Sequence, residues 1–197
     1  MSTKQELQVA VVIGSTRTGR FGPVVADWLL GHLDARDDMV ADLVDLAATP
    51  LPTVMPGFGG ELPAEEIELL SAVTPRLAAA DAFLFVTPEY NHSFPASLKN
   101  AIDWHNQQWH GKPIGFVSYG GLSGGLRAVE QLRVVMAELN TVTIRNTVSF
   151  HGAAAAFDAD GKPRDPAADA AAKTMLDQLV WWAQALRDAR QARPFTA

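Results

Sequence analysis

The chain has 197 residues, 48% hydrophobic and 19% charged, a balance that suits one folded domain and excludes disordered and fibrous classes. It has no cysteine, which excludes disulfides, thiolate nucleophiles and Cys-ligated metal centres. A formal charge of -6 argues against a nucleic-acid partner; with a polar start from Met1 to Gln8 and no apolar run of about 18 residues, a cytoplasmic protein that acts on small molecules and enters no membrane is expected.

Val9 to Ile13 is a continuous β-branched run that stops at Gly14, as expected of a strand buried on both faces of a parallel sheet. Val24, Val25, Trp28, Leu29 and Leu33 then recur at helical spacing behind Pro23, and Val40 to Leu46 alternates like a strand. Thr49 to Gly60 carries too many prolines and glycines for a regular element and reads as a long loop, of a length that often lies beside a site. Helical spacing returns from Glu65 to Ala80, with Pro75 as a potential kink. Ala82 to Val86 is a third strand, followed by a helix from about Pro95 to Trp104. Pro113 to Ser118 and Leu126 to Leu139 form a fourth strand and helix; Thr141 to Phe150 is a fifth strand. Ala153 to Pro166 reads as loop, and a last amphipathic helix runs from Ala167 to about Arg190.

Strands and helices in strict alternation imply a parallel sheet with helices on both faces. The element count predicts a flavodoxin-like three-layer α/β/α sandwich over residues 1–197, with five parallel strands in the order 2-1-3-4-5. In such sheets a ligand sits beyond the carboxyl ends of the strands, between the loops after strands one and three.

Those loops carry suitable chemistry. Gly14 to Gly22 places Ser15, Thr16, Thr18, Arg17 and Arg20 at the start of a helix, where exposed N–H groups and basic side chains suit a phosphomonoester. It has neither a dinucleotide Gly-x-Gly-x-x-Gly turn nor a P-loop Gly-Lys-Ser/Thr. Thr87 to Pro95 brings Tyr90 and Phe94 as flat walls and Asn91 as a polar contact, while Glu89 has a structural alternative as the partner of an arginine. Tyr119 to Gly125 offers backbone donors with little side-chain bulk, a surface for a planar ring.

Gly121-Leu122-Ser123-Gly124-Gly125 also matches the Gly-x-Ser-x-Gly elbow of serine hydrolases, with His151 as the only downstream histidine. An esterase using Ser123 is therefore a competing reading. His32, His92, His105 and His110 form no paired ligand motif, so no metal site is expected. Trp104 and Trp109 suit the core, a ligand wall or a subunit contact; Trp181 and Trp182 read as packing residues.

Taken in order, Gly14-Ser15-Thr16-Arg17, then Pro88-Glu89-Tyr90-Asn91-His92-Ser93 with Leu98-Lys99-Asn100-Ala101-Ile102-Asp103-Trp104, then Gly120-Gly121 followed by Gln131-Leu132-Arg133, resemble the NADPH-dependent FMN reductase family. The resemblance extends from about Val9 to the last helix. It implies an NAD(P)H-dependent oxidoreductase of flavodoxin-like fold, with FMN as cofactor and NADPH or NADH as hydride donor to a quinone or other small acceptor. By it, Ser15, Thr16, Arg17, Arg20, Phe21 and Gly22 hold the phosphate end of FMN. Pro88, Glu89, Tyr90, Asn91 and Ser93 border the ring on one side, and Gly120, Gly121 and Leu122 on the other. The flavin would carry the chemistry, so no catalytic side chain is implied. Arg20 departs from several relatives that have a small hydroxyl residue there, leaving a phosphate contact and a solvent-facing side chain as its two readings. The resemblance further implies a homodimer or homotetramer, with Asp103 and Trp104 near the subunit contact. A flavodoxin-type electron carrier is the alternative within the same fold.

Overall fold

A computed structural model describes residues 6–57 and 59–196, and residues 1–5 of the polar start read from Met1 to Gln8 lie outside them. The chain forms β1 (Leu7–Ile13), α1 (Gly22–Asp34), β2 (Met39–Asp45), α2 (Ala64–Ser71), α3 (Thr74–Ala79), β3 (Ala82–Pro88) and α4 (Ala96–Trp104). It continues through β4 (Pro113–Gly120), α5 (Leu126–Glu138), β5 (Val142–His151), α6 (Ala153–Ala156) and α7 (Ala167–Ala192). All strand pairs are parallel, in the order β2-β1-β3-β4-β5, as the alternation predicts.

Side chains alternate across the sheet and build one core on each face. Val9, Val11, Ile13, Leu84 and Val86 point to the side covered by Val25 and Leu29 of α1 and Met175 and Leu179 of α7. Val12, Phe83, Phe85, Ile114 and Phe116 point to the side covered by Leu77 of α3, Leu98 and Ile102 of α4, and Leu132 and Met136 of α5. Gly115 leaves room for its neighbours in the sheet: a Cβ there would stand 2.9 Å from a Leu84 methyl and 3.3 Å from an Ile144 methyl, which would have to shift.

Three expectations are corrected. The helix expected from Glu65 to Ala80 is two helices, α2 and α3, which break at Ala72 and Val73. A proline ring cannot accommodate the carbonyl four residues back in a continuous helix, and Pro75 instead sits in the first turn of α3. The expected loop from Ala153 to Pro166 opens with the single turn α6. Of the tryptophans, Trp109 is core, only 1% exposed, with its indole donating to the His105 carbonyl at 2.8 Å. Trp182 packs, whereas Trp181 is largely exposed, contrary to a packing role.

His105 joins α4 to α3. Its Nδ1 donates to the Ala101 carbonyl at 2.7 Å, which leaves Nε2 to accept from the Thr74 hydroxyl at 2.9 Å. Burial holds this imidazole below its ordinary range, against the opposing effect of the Ala101 carbonyl. The unfolded chain therefore binds the proton more readily, so stability from this site is present above about pH 6.5 and falls as the pH drops below it. Urea midpoints at pH 7 and pH 5 are expected to differ less in His105→Gln than in the parent; an equal difference in both would contradict this role.

Candidate active site

The chain leaves β1 outward to β2 and returns to β3, so the sheet switches direction between β1 and β3. At the carboxyl ends of the strands stand the segments 14–21, 89–95 and 121–125, the three loops singled out from the sequence.

The first loop is anchored from below and open above. Ser15 is fully buried and its Oγ accepts from the Tyr119 hydroxyl at 3.1 Å, whose ionisation burial pushes up to about 12. Gly22 permits this closeness, since a Cβ would lie 2.5 Å from Ser15 Oγ and 2.9 Å from the Tyr119 hydroxyl. Thr16, Arg17, Thr18 and Gly19 are exposed. Among the described residues no protein group accepts from their backbone amides, which precede the N-terminus of α1.

The two loop arginines differ. Arg20 is engaged: its Nη1 donates to the Ser15 carbonyl at 2.8 Å and its guanidinium makes a two-pronged pair with Asp45. Asp45 holds Arg20 charged and is itself held below the usual carboxylate range by that guanidinium, burial opposing the shift in both. Arg17 has no carboxylate partner among the described residues and stands over the Tyr90 ring, 5.5 Å from its centroid. Phe21 turns its ring to the core, edge-on to Phe157 at 5.3 Å and Tyr119 at 6.0 Å.

The second loop is a tight turn in which Tyr90 and Ser93 exchange backbone bonds at 2.8 and 3.0 Å. Asn91 and His92 between them have φ of 49° and 72°, the left-handed pair that a type I′ turn demands. Gln131 of α5 secures it, donating to the His92 carbonyl at 2.8 Å and accepting from the Ser93 hydroxyl at 2.6 Å. The hydroxyl of Ser93 is thus turned to α5. Pro88 is buried at the end of β3, paired in register with Tyr119.

Glu89 binds the second loop to the third. Its side chain is 7% exposed and takes the Ser123 hydroxyl, the Arg127 amide at 3.2 Å and the Arg127 guanidinium at 2.6 Å. Burial works against its ionisation, yet these contacts together hold the carboxyl below its ordinary range. This settles the role of Ser123 against that of an esterase nucleophile: its partner is a carboxylate, while His151 turns Nδ1 to the Leu122 carbonyl at 3.0 Å and Nε2 to Ser149 at 3.5 Å. In the third loop the carbonyl of Gly124 accepts from Ser118 and Ser149 at 2.9 and 2.8 Å. Gly121 has open space where a Cβ would be, and Leu122 is exposed beside it.

A cavity of about 880 Å³ opens on the β2 side of these loops. Thr16, Ser93 and Phe94 reach it; Leu46, Pro50, Leu51 and residues of α4 supply the rest. Pro50, Leu51 and Thr53 belong to the long loop from Thr49, whose length marks it in the sequence as a segment of the kind found beside sites. Asn100 donates to the Pro52 carbonyl at 2.9 Å and Trp104 Nε1 to the same carbonyl at 2.6 Å, so Trp104 holds the wall within its own chain, while Ser97 ties α4 to Gly14 at 2.6 Å. Asp103 pairs with Lys99 one turn earlier at 2.7 Å.

Comparison with known proteins decides between readings that share this fold. The family model of NADPH-dependent FMN reductases matches residues 7–155. The chain belongs to this family. It is 39% identical to the NAD(P)H-dependent FMN reductase C4B3.06c of Schizosaccharomyces pombe, over 60% of each chain. It is 31% identical to a 2-hydroxy-1,4-benzoquinone reductase of a Burkholderia species, over 93% of this chain and 98% of that one. Among solved structures, the flavoenzyme NAD(P)H:(acceptor) oxidoreductase FerB of Paracoccus denitrificans superposes with a TM-score of 0.71 at 26% identity, over 91% of this chain and 98% of its own. Membership makes the chain an NAD(P)H-dependent flavin oxidoreductase and disfavours the electron-carrier reading. No helix among the described residues is long and apolar enough to cross a membrane.

Proposed function

We propose that this family member holds FMN across its three strand-end loops and reduces a small quinone-like acceptor at the expense of NADPH or NADH. The observation that carries the reading is the unpaired Arg17 beside four backbone amides without protein acceptors, a donor set that fits a phosphate monoester. The uncovered Gly121, with Gly120 and Leu122, fits the approach of a planar ring system. When bound, FMN supplies the two-electron chemistry.

The protein's own residues bind and orient. Arg17 and the amides of Thr16 to Gly19 take the phosphate, and Ser15, locked to Tyr119, fixes the floor of that loop. Tyr90 and Asn91, presented by the left-handed turn, border the ring on the β3 side. Glu89 keeps that turn at a set distance from the glycine loop, so the slot between them is built before ligand arrives. The apolar walls of Leu46, Pro50, Leu51 and Phe94 suit an aromatic acceptor, and the cavity lies within the size range of small-molecule sites.

In this reading residues 1–197 form one cytoplasmic domain that acts as a homodimer or homotetramer. The exposed Ile67 and Leu69 of α2 support a second copy as the cover of that helix. Arg17→Ala is expected to weaken FMN about 10- to 100-fold, the range of a lost charge-assisted contact, and to leave riboflavin, which has no phosphate, almost unaffected. Titration of flavin fluorescence measures both. FMN affinity equal to that of the parent would overturn the assignment.

A further inference from the structure

Arg20 looks from sequence like a second phosphate ligand, yet both hydrogens of its Nη1 and one of its Nη2 are already engaged within the protein. Nη1 serves the Ser15 carbonyl at 2.8 Å, and both terminal nitrogens face Asp45. The two side chains are 17% and 21% exposed, so the pair is partly withdrawn from water, where a forked guanidinium-carboxylate contact holds its geometry well. Asp45 is itself a fixed post. Its Oδ1 accepts from the Ala47 amide at 3.0 Å, and its carbonyl accepts from the Ala48 and Thr49 amides, each at 2.9 Å.

The consequence lies in the peptide between Ser15 and Thr16. A trans peptide is planar, with its C=O and N–H pointing in opposite directions. Fixing the Ser15 oxygen on Arg20 therefore aims the Thr16 N–H away from Arg20, on the side left without a protein acceptor. The only other backbone tie inside this loop, among the described residues, is Arg20 N–H to the Arg17 carbonyl at 3.1 Å, which also begins at Arg20.

We propose that Arg20 and Asp45 form a positioning pair that presets the phosphate-binding amides, with Arg20 acting through the Ser15–Thr16 peptide and never touching the phosphate. The inference rests on the proposal that this loop holds the phosphate of FMN. It also links the cofactor loop to the acceptor cavity, because Leu46 and Ala47, next to Asp45, line that cavity.

Binding of FMN and of riboflavin to the full-length parent, Arg20→Ala, Arg20→Lys, Asp45→Asn and the Arg20→Ala/Asp45→Asn double variant tests this. Arg20→Ala and Asp45→Asn are each expected to weaken FMN about tenfold, as a loop that must be ordered on binding would. Both should lower the preference for FMN over riboflavin, the double variant should be scarcely weaker than either single one, and Arg20→Lys should recover part of the loss. The amide oxygen introduced by Asp45→Asn would still accept from Ala47, so this change spares the turn that follows β2, and thermal melting of each apo variant checks the fold. If Arg20 instead met the phosphate directly, releasing it by Asp45→Asn would leave FMN affinity unchanged or raise it, and that result overturns the inference. Loss of affinity for FMN and riboflavin in equal measure would also overturn it, marking a general structural defect. Should Arg20→Ala fail to fold, Arg20→Lys and Asp45→Asn discriminate between the same outcomes. A parent that shows no preference for FMN over riboflavin would instead refute the underlying assignment of the phosphate site.

Discussion

Gly125→Ala is expected to lower the melting temperature by about 6–12 °C, the largest single-residue effect anticipated in this chain. Gly125 caps α5 with a φ of 88°, and a Cβ there would stand 2.6 Å from the Ser118 Cβ and 2.9 Å from the Tyr119 amide. A side chain in the left-handed region costs about 1 kcal/mol, and overlap with strand atoms that cannot withdraw adds about 1–3 kcal/mol. Ser118 and Tyr119 lie within β4, so the strain relaxes only if the glycine loop lifts from the sheet. That movement would disturb Gly120 and Gly121, and FMN affinity should fall with stability. Thermal denaturation of the apo-protein reads the first effect; a shift below about 2 °C, less than 1 kcal/mol at this chain length, would contradict the proposed overlap.

Removal of the carboxylate in Glu89→Ala should come second. It leaves the Ser123 hydroxyl, the Arg127 amide at the start of α5 and the Arg127 guanidinium without their common acceptor. The Nε of Arg127 is already buried without a partner, and its Nη2 keeps the Ser123 hydroxyl, at 3.0 Å, as a second and weaker acceptor. Breaking a buried ion pair from one side costs about 3–5 kcal/mol, but Arg127 is 41% exposed and water recovers part of this. About 2–3 kcal/mol remains, or roughly 5–10 °C, and Glu89→Gln, which keeps one acceptor oxygen, should lose less. Because the folded state holds this carboxyl below its unfolded value near 4.5, its contribution is complete above that pH and declines only as the pH falls through the lower folded value. Equal melting temperatures for the parent and Glu89→Ala at neutral pH would remove Glu89 from this role.

What is legible in the sequence follows from local pattern. The uninterrupted apolar runs at Val9 to Ile13 and Ala82 to Val86 are the strands buried on both faces, and the breakers at Gly14, Pro88 and Gly120 mark where they give way to site loops. Pro75 carries the signal for the break between α2 and α3, but apolar spacing on either side masks it. Side-chain pairings are not legible. Arg20 and Asp45 are 25 residues apart and Glu89 and Arg127 are 38 apart, and no local pattern records which charge meets which. The cavity wall from Leu46 to Thr53 is legible only in part: the length of the loop from Thr49 signals a segment beside a site, but its position is set by Asn100 and Trp104 through carbonyls that every residue has. The motif around Asn100 and Trp104 stands out in the sequence, yet its work is to hold this chain's own loop, which only the fold discloses.

The central claim is that FMN lies across the three loops, open to a nicotinamide and then to an acceptor. Anaerobic titration of the FMN-loaded protein with NADPH and, separately, NADH, followed by addition of a benzoquinone, tests it most directly. The flavin absorption should bleach with one equivalent of at least one of the two donors and return on addition of the quinone. A protein that binds FMN yet leaves it oxidised with both donors, or that binds no FMN at all, would contradict the claim.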